Sequence, residues 1–367
     1  MTLPAHALRA TFDTAPSLTV GLEEEVFLLD PETLEPAPVA STVLARVEGD
    51  PRFKSELPAA QLELVTPPFA TVPAAIAHLA EARLALLAAV DGEARPAAVA
   101  VPPLGDPLGR LNTGGRYDRI LAEYGDVGRR QLVAALQVHV AVGGADATLA
   151  VYNALRSYLP EIAALAANGA MYAGRDSGFA SVRPLIGENL PRQGVAPAID
   201  SWESFAEDLR WGEASGTVPE PGMWWWELRP HVVHGTLEVR VPDVQQRIDD
   251  AAAVAGLVHA LVAHLAEHAP QPPAPTWRIE ENRWWAARDG VEGALADLTS
   301  GERVSTRERL ESLIVELAPR ADRLGCAAEV AGARELAAEN GAMRQRAVVA
   351  AHGFDALVPW LTERWLA

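Results

Sequence analysis

Three things are scarce in this chain. There is one cysteine, Cys326, so no intrachain disulfide can form and nothing calls for an oxidising compartment. There is one lysine, Lys54, and arginine supplies nearly all the positive charge. No stretch reaches about 18 continuous apolar residues free of charge, so neither a membrane span nor a membrane partner is expected. The opening residues MTLPAHALRATFD lack a basic start followed by a long apolar run. No signal peptide is therefore expected, and the default location is the cytoplasm. Internal repeats and low-complexity tracts are also missing.

Positive charge is in deficit overall, with a formal net charge of −18. A nucleic-acid binder needs a basic patch, and none stands out. A polyanion such as ATP would meet a repelling field and would need bridging cations. A Walker phosphate loop is lacking too. The segment LNTGGRY at 111–117 has the glycines but not the Lys-Ser/Thr ending, and it reads as a turn.

What remains is ordinary for a globular protein with a large core: 367 residues, 49% hydrophobic and 22% charged. One catalytic domain over 1–367 is expected, strand-rich from about 18 to 243 and helical from about 249 to 367. Residues 18–30, 61–65, 236–241 and the end of 130–142 read as strands. Residues 72–89 read as a helix with Thr71 placed to cap it and Gly92 to end it. Residues 145–167 read as helical with a break at Pro160, and 249–268 as a long amphipathic helix. The segment APQPPAPTW at 269–277 is a Pro-rich loop. An α+β fold follows, an antiparallel sheet backed by helices, because strands separated by long irregular connections do not fit a regular βαβ alternation.

The acids sit on these strands in a pattern. Side chains of a strand alternate faces with period two. In GLEEEVF, Glu23 and Glu25 share one face, and Glu24 points to the other with Leu22 and Val26. In QLELV, Glu63 stands opposite Leu62 and Leu64; in LQVHV, His139 shares a face with Gln137. In TLEVRV, Glu238 and Arg240 share a face opposite Leu237 and Val239. Each strand thus has an apolar face and a face of Glu, His or Arg. Such a face can simply meet solvent, as in many antiparallel sheets. If the strands join one sheet, the alternative is a cation site, because like charges crowded together need neutralising. Carboxylates with a single imidazole suit Mg²⁺ or Mn²⁺, and Mg²⁺ shares itself readily with phosphate oxygens. Arg240 beside Glu238 could then stabilise charge on a transferring phosphoryl group.

In order along the chain stand GLEEEVFLLD (21–30), SELPAAQLELVTPP (55–68), RYDRILAEYG (116–125), ALQVHVAV (135–142), SGFASVRPL (177–185), WWWELRPHVVHGTLEVRVPD (224–243), ENRWWAARDG (281–290) and NGAMRQRA (340–347). By these segments the chain resembles the glutamate–cysteine ligase type 2 family, the bacterial carboxylate–amine ligases. The resemblance implies a curved antiparallel sheet forming half a barrel, of the glutamine-synthetase and glutamate–cysteine-ligase type. It implies an ATP-dependent ligase that makes an amide, a γ-glutamyl bond being one form of it, through an acyl-phosphate. Its partners would be ATP, an amino-acid-like carboxylate and an amine, with homo-oligomers possible. The cofactor would be Mg²⁺ or Mn²⁺.

Residue by residue, the resemblance makes Glu23, Glu25, Glu56, Glu63, His139 and Glu238 metal ligands. It makes Arg240 a phosphate-contacting catalytic residue and Arg183 a second one, on the substrate or the transferring phosphate. Arg229 is a candidate for binding a substrate carboxylate, and Asn168 for lying in the amino-acid pocket. The sequence departs from the family pattern in three places. Gln137 replaces the first histidine of H-V-H-V, Glu227 replaces an Asp, and Asn168-Gly169-Ala170-Met171 replaces N-S-P-F. The acceptor side is therefore altered and the substrate pair is left open. Trp224–Trp226 and Trp284–Trp285 can bind adenine or an aromatic acceptor, or pack at a core edge. Arg283, Arg288 and Arg346 either organise the fold or touch substrate. Competing readings are a phosphotransferase of the same fold, a metal-dependent hydrolase with paired carboxylates, and a non-catalytic ATP- and metal-binding protein.

Overall fold

A computed structural model describes residues 4–269 and 272–365. The Pro-rich loop thus falls partly outside the described residues, at 270–271. The strands in chain order are β1 (Val20–Leu29), β2 (Phe53–Ser55), β3 (Gln61–Val65), β4 (Arg95–Ala97), β5 (Leu136–Val140), β6 (Met171–Tyr172), β7 (Arg175–Asp176), β8 (Leu228–His231), β9 (Thr236–Val239), β10 (Ala294–Ala296) and β11 (Arg303–Ser305). Seven of them form one antiparallel sheet in the order β2-β3-β1-β5-β9-β8, with β4 paired to β1. The pairs β6–β7 and β10–β11 are separate two-stranded hairpins.

The longest strand, β1, takes β3 on one side and β5 and β4 on the other. Its apolar face (Leu22, Val26, Leu28) is continued by Leu62, Leu64, Val138, Val140, Leu237 and Val239, all buried. Helices cover that face. The Val72–Val90 helix packs on β1, β3 and β4; the Ile248–His268 helix packs on β5. Behind them lie the Thr306–Leu324 and Ala327–Ala338 helices, and one hydrophobic core runs from Leu8 to Trp365 through strands and helices alike.

Glu24 faces this core, and the structure shows how. Arg83 reaches in from the Val72–Val90 helix and pairs with it at 2.5 and 2.9 Å, both groups being buried. The rest of the Arg83 guanidinium donates to the carbonyls of Gln245, Gln246 and Trp365. A buried pair of this kind holds only when every donor is used.

Several element readings need correction. Thr71 stands at the N-cap of its helix but makes no side-chain capping bond. The 249–268 helix is buried on nearly every side rather than amphipathic, because it is sandwiched between the sheet and the C-terminal helices. Two helices, Val72–Val90 and Ile248–His268, are long and apolar enough to cross a membrane, but the second is 83% buried inside the fold. Sequence patterning missed the first helix, Ala5–Thr14, and strand β8. Pro230 breaks the look of a strand, yet β8 is an edge strand, where a missing N–H is tolerated.

Candidate active site

Register decides which polar side chains meet. Lys54 lies opposite Glu63, and Glu63 opposite Glu25. Glu23 lies opposite Gln137. His139 lies opposite Glu238, and Glu238 opposite Arg229. With period-two alternation, all of them stand on the face away from the helices. The strand-face reading of Glu23, Glu25, Glu63, His139, Glu238 and Arg240 therefore describes one continuous surface.

Two groups of three form on it. Glu25, Glu56 and Glu63 each bring a carboxylate oxygen within 4.8 Å of the others; Glu23, His139 and Glu238 bring ligand atoms equally close. Glu56 comes from the loop after β2. Its Oε2 accepts the Leu57 N–H at 2.9 Å, and Asn112 clamps its carbonyl at 2.7 Å. Burial pushes the Glu25 carboxyl up, and the charge of Glu56 adds to it, so that it sits at about 7. Burial raises Glu63 well above the carboxylate range, helped by Glu23 and Glu56. In the second group burial also acts upward but is overcome. The His139 imidazole and Lys54 draw Glu23 down to about 2, and Arg229 and Arg240 hold Glu238 well below its ordinary value.

The residues fit a hard divalent cation. His139 Nδ1 is engaged by the Thr236 hydroxyl at 3.0 Å, while Nε2 is buried with no hydrogen-bond partner and lies 3.7 Å from Glu23. A buried ring nitrogen without a partner, aimed among carboxylates, has the placement and chemistry of a metal ligand. The first group holds three carboxylates; the Lys54 ammonium lies 3.9 Å from Glu63 and 3.6 Å from Glu23 of the second group, and the charge of Arg240 acts on Glu25.

Arg240 stands between the groups. Its Nη1 donates to Glu238 and, at 2.6 Å, to Gln137 Oε1. Gln137 in turn donates from Nε2 to Glu25 Oε1 at 2.8 Å, and the Ala135 N–H holds the other Glu25 oxygen at 2.7 Å.

Three residues expected to meet substrate are held by the protein itself. Arg229 is engaged by protein acceptors. It grips Glu238 bidentately at 2.6 and 3.0 Å, and its Nη1 donates to the Gly222 and Trp224 carbonyls. Arg183 pairs with Asp243 at 2.7 Å and donates to the Val241 carbonyl at 2.5 Å, bracing the chain just beyond Arg240. Asn168 is fully buried. Its Nδ2 donates to Ala98 and Val244 carbonyls and its Oδ1 accepts from Gln345, so no donor is left for a substrate. Glu227, Arg283 and Arg346 also pair internally: Arg283 grips Glu227 at 2.6–2.9 Å and Arg346 grips Asp176 at 2.8 and 3.0 Å.

Sequence reasoning missed Lys54, which extending the register by one strand to β2 finds, and placed Gln137 on the face without giving it a role there. It also missed His231 and His234, whose rings stack at 4.3 Å and lie 5.4 and 6.0 Å from the His139 ring. Burial pushes His231 down to about 4 and keeps it neutral. Two cavities open on the face. One, of about 330 Å³, is bordered by Glu23, Lys54, Pro67, His139 and His234; the other, of about 100 Å³, by Glu25, Glu56, Arg116, Trp225 and Arg240. Trp225 therefore both packs against Tyr124 and borders the site, whereas Trp284 and Trp285 border other pockets.

A protein of Rubrobacter xylanophilus named "Putative glutamate--cysteine ligase 2-3" is 36% identical over 97% of this chain and 99% of its own length. Among solved structures, a glutamate–cysteine ligase of Francisella tularensis in complex with AMP superposes with a TM-score of 0.73 at 11% identity. It covers 95% of this chain and 88% of its own. A bifunctional glutathione synthetase of Pasteurella multocida gives 0.69 at 16% identity over 98% of this chain, which spans about half (53%) of that longer protein. These two likenesses establish the fold. A family model described as Glutamate-cysteine ligase family 2 (GCS2) matches residues 19–356, and the chain belongs to that family.

Proposed function

We propose that this chain joins a carboxylate to an amine through an acyl-phosphate made from ATP, with Mg²⁺ or Mn²⁺ on the acidic face of the sheet. Membership of the family makes it an ATP-dependent ligase that forms carbon–nitrogen bonds. The observation that supports the finer reading is the pair of three-ligand groups with the Arg240 guanidinium between them.

Glu25, Glu56 and Glu63 would hold one cation, and Glu23, His139 and Glu238 another. When bound, these ions supply charge neutralisation for the β and γ phosphates. The substrate carboxylate oxygen attacks the γ-phosphorus; a P–O bond forms, the bond to the β–γ bridging oxygen breaks, and ADP leaves. Arg240 faces the phosphoryl group and stabilises its charge. The amine nitrogen then attacks the acyl carbon. The C–N bond forms, the acyl C–O bond breaks, and phosphate departs while the amine proton passes to solvent. A reaction that consumes ATP is placed in the cytoplasm on this reading. A γ-glutamyl product is one form of it, and the departures from the family pattern at Gln137, Glu227 and 168–171 leave the acceptor open.

The test is phosphate release from ATP with Mg²⁺ against a panel of carboxylates and amines, with mass spectrometry of the products. Release that needs both partners, with a matching amide mass, supports the ligase reading. A phosphorylated product without an amide would replace it with a phosphotransferase. No turnover alongside tight ATP–Mg²⁺ binding would replace it with a non-catalytic protein.

A further inference from the structure

Arg240 has five N–H donors in a planar fork. Both hydrogens of Nη1 are engaged, one by Glu238 and one by Gln137. Nε and Nη2 make no hydrogen bond among the described residues, and Arg240 borders the cavity that holds Glu25 and Glu56. The unengaged edge of the fork is the one that grips an oxyanion with two parallel bonds. What keeps it unengaged is notable, because Glu25 is close enough to act electrostatically on Arg240. Opposite charges in a buried site draw together unless something intervenes. Gln137 intervenes. It is buried, 2% exposed, and its neutral amide bridges the two, with Oε1 to Arg240 and Nε2 to Glu25.

We propose that Gln137 is a positioning residue: a neutral spacer that keeps Arg240 from collapsing onto Glu25, so that the guanidinium fork stays open for an oxyanion and the carboxylate stays open for a cation. The inference rests on the proposed metal and phosphate roles of this face. No other side chain does this job among the described residues. The remaining Glu25 hydrogen bond comes from the Ala135 backbone, and the remaining Arg240 bond goes to Glu238. The two functions are therefore linked through one amide. Removing it lets a direct ion pair form, which withdraws a metal ligand and a phosphate ligand together.

The test is binding of Mn²⁺ alone, followed by the electron paramagnetic resonance of the free ion, which requires no turnover and no known substrate. Gln137→Leu has similar volume and neither hydrogen-bonding group. It is expected to weaken Mn²⁺ binding about ten-fold or more, the usual cost of losing an outer partner of a metal ligand, while the thermal unfolding midpoint stays near that of the parent. Should the leucine variant fail to fold, Gln137→Ser, too short to reach either partner, carries the same expectation. Parent and leucine (or serine) variant binding Mn²⁺ equally well overturns the inference and leaves the metal reading standing. A parent that binds no Mn²⁺ removes the metal reading itself, and the inference with it.

Discussion

Glu24 and Glu25 are neighbours in the chain and face opposite ways. Glu24 is closed off by Arg83 in the core, where losing one partner strands the other. Glu24→Leu should therefore destabilise the fold by roughly 3–5 kcal/mol, measured by urea unfolding. Arg240 belongs to the opposite surface. Arg240→Ala should leave folding close to the parent and lower kcat by about 10²–10³, the cost of one lost donor to a charge that develops in the transition state. Full turnover of that variant with ATP would remove Arg240 from the phosphoryl site. Arginines 183 and 229 show what residue type alone leaves out. Both have the chemistry to bind a substrate anion, and both find a protein carboxylate or carbonyl first. Sequence tells which side chain can donate; only folding tells which acceptor stands nearest.

The elements that read clearly from sequence are those whose signal is long. β1, β3 and the Val72–Val90 helix fall where alternation and helical punctuation put them. β2 is three residues long and carries too little pattern to detect, which is why Lys54 escaped as a member of the site. The central helix, Ile248–His268, makes two checkable claims. A Cβ on Gly256 would lie 2.7 Å from Glu329 Cβ and 3.2 Å from the Val330 backbone nitrogen. Gly256→Val must push the Ala327–Ala338 helix away, and a loss of about 1–3 kcal/mol is expected in equilibrium unfolding, as for other overpacked cores. Three residues further on, burial holds His259 below its ordinary 6.5 while Nε2 meets the Leu18 carbonyl at 2.9 Å. The folded state prefers the neutral ring. The stability this contributes is complete above pH 6.5 and is lost as the pH falls and the unfolded chain takes up the proton. His259→Gln does not titrate. Comparing unfolding midpoints at pH about 7.5 and about 5.5, the variant should gain on the parent at the lower value; parallel behaviour at both would show that His259 does not contribute.

At the scale of the whole molecule, the net charge of −18 and the crowded carboxylates point the same way. Cations that bind the folded face and not the unfolded chain raise stability by mass action, by about 2.7 kcal/mol at a hundred times the dissociation constant. Mn²⁺ or Mg²⁺ should raise the thermal midpoint and EDTA should reverse the rise. Glu23→Gln, which removes one ligand, should shrink it, and monovalent salt at matched ionic strength should not reproduce it.

The scarcity of lysine acquires a practical meaning on this surface. The only ε-amine in the chain is half exposed and hovers over the two acidic groups, between Glu23 and Glu63. An amine-reactive dye thus has a single side-chain target, and that target sits at the mouth of the site. Once a divalent ion relieves the carboxylates of their ammonium, Lys54 is freed to react, so the rate of labelling becomes a built-in gauge of how full the site is.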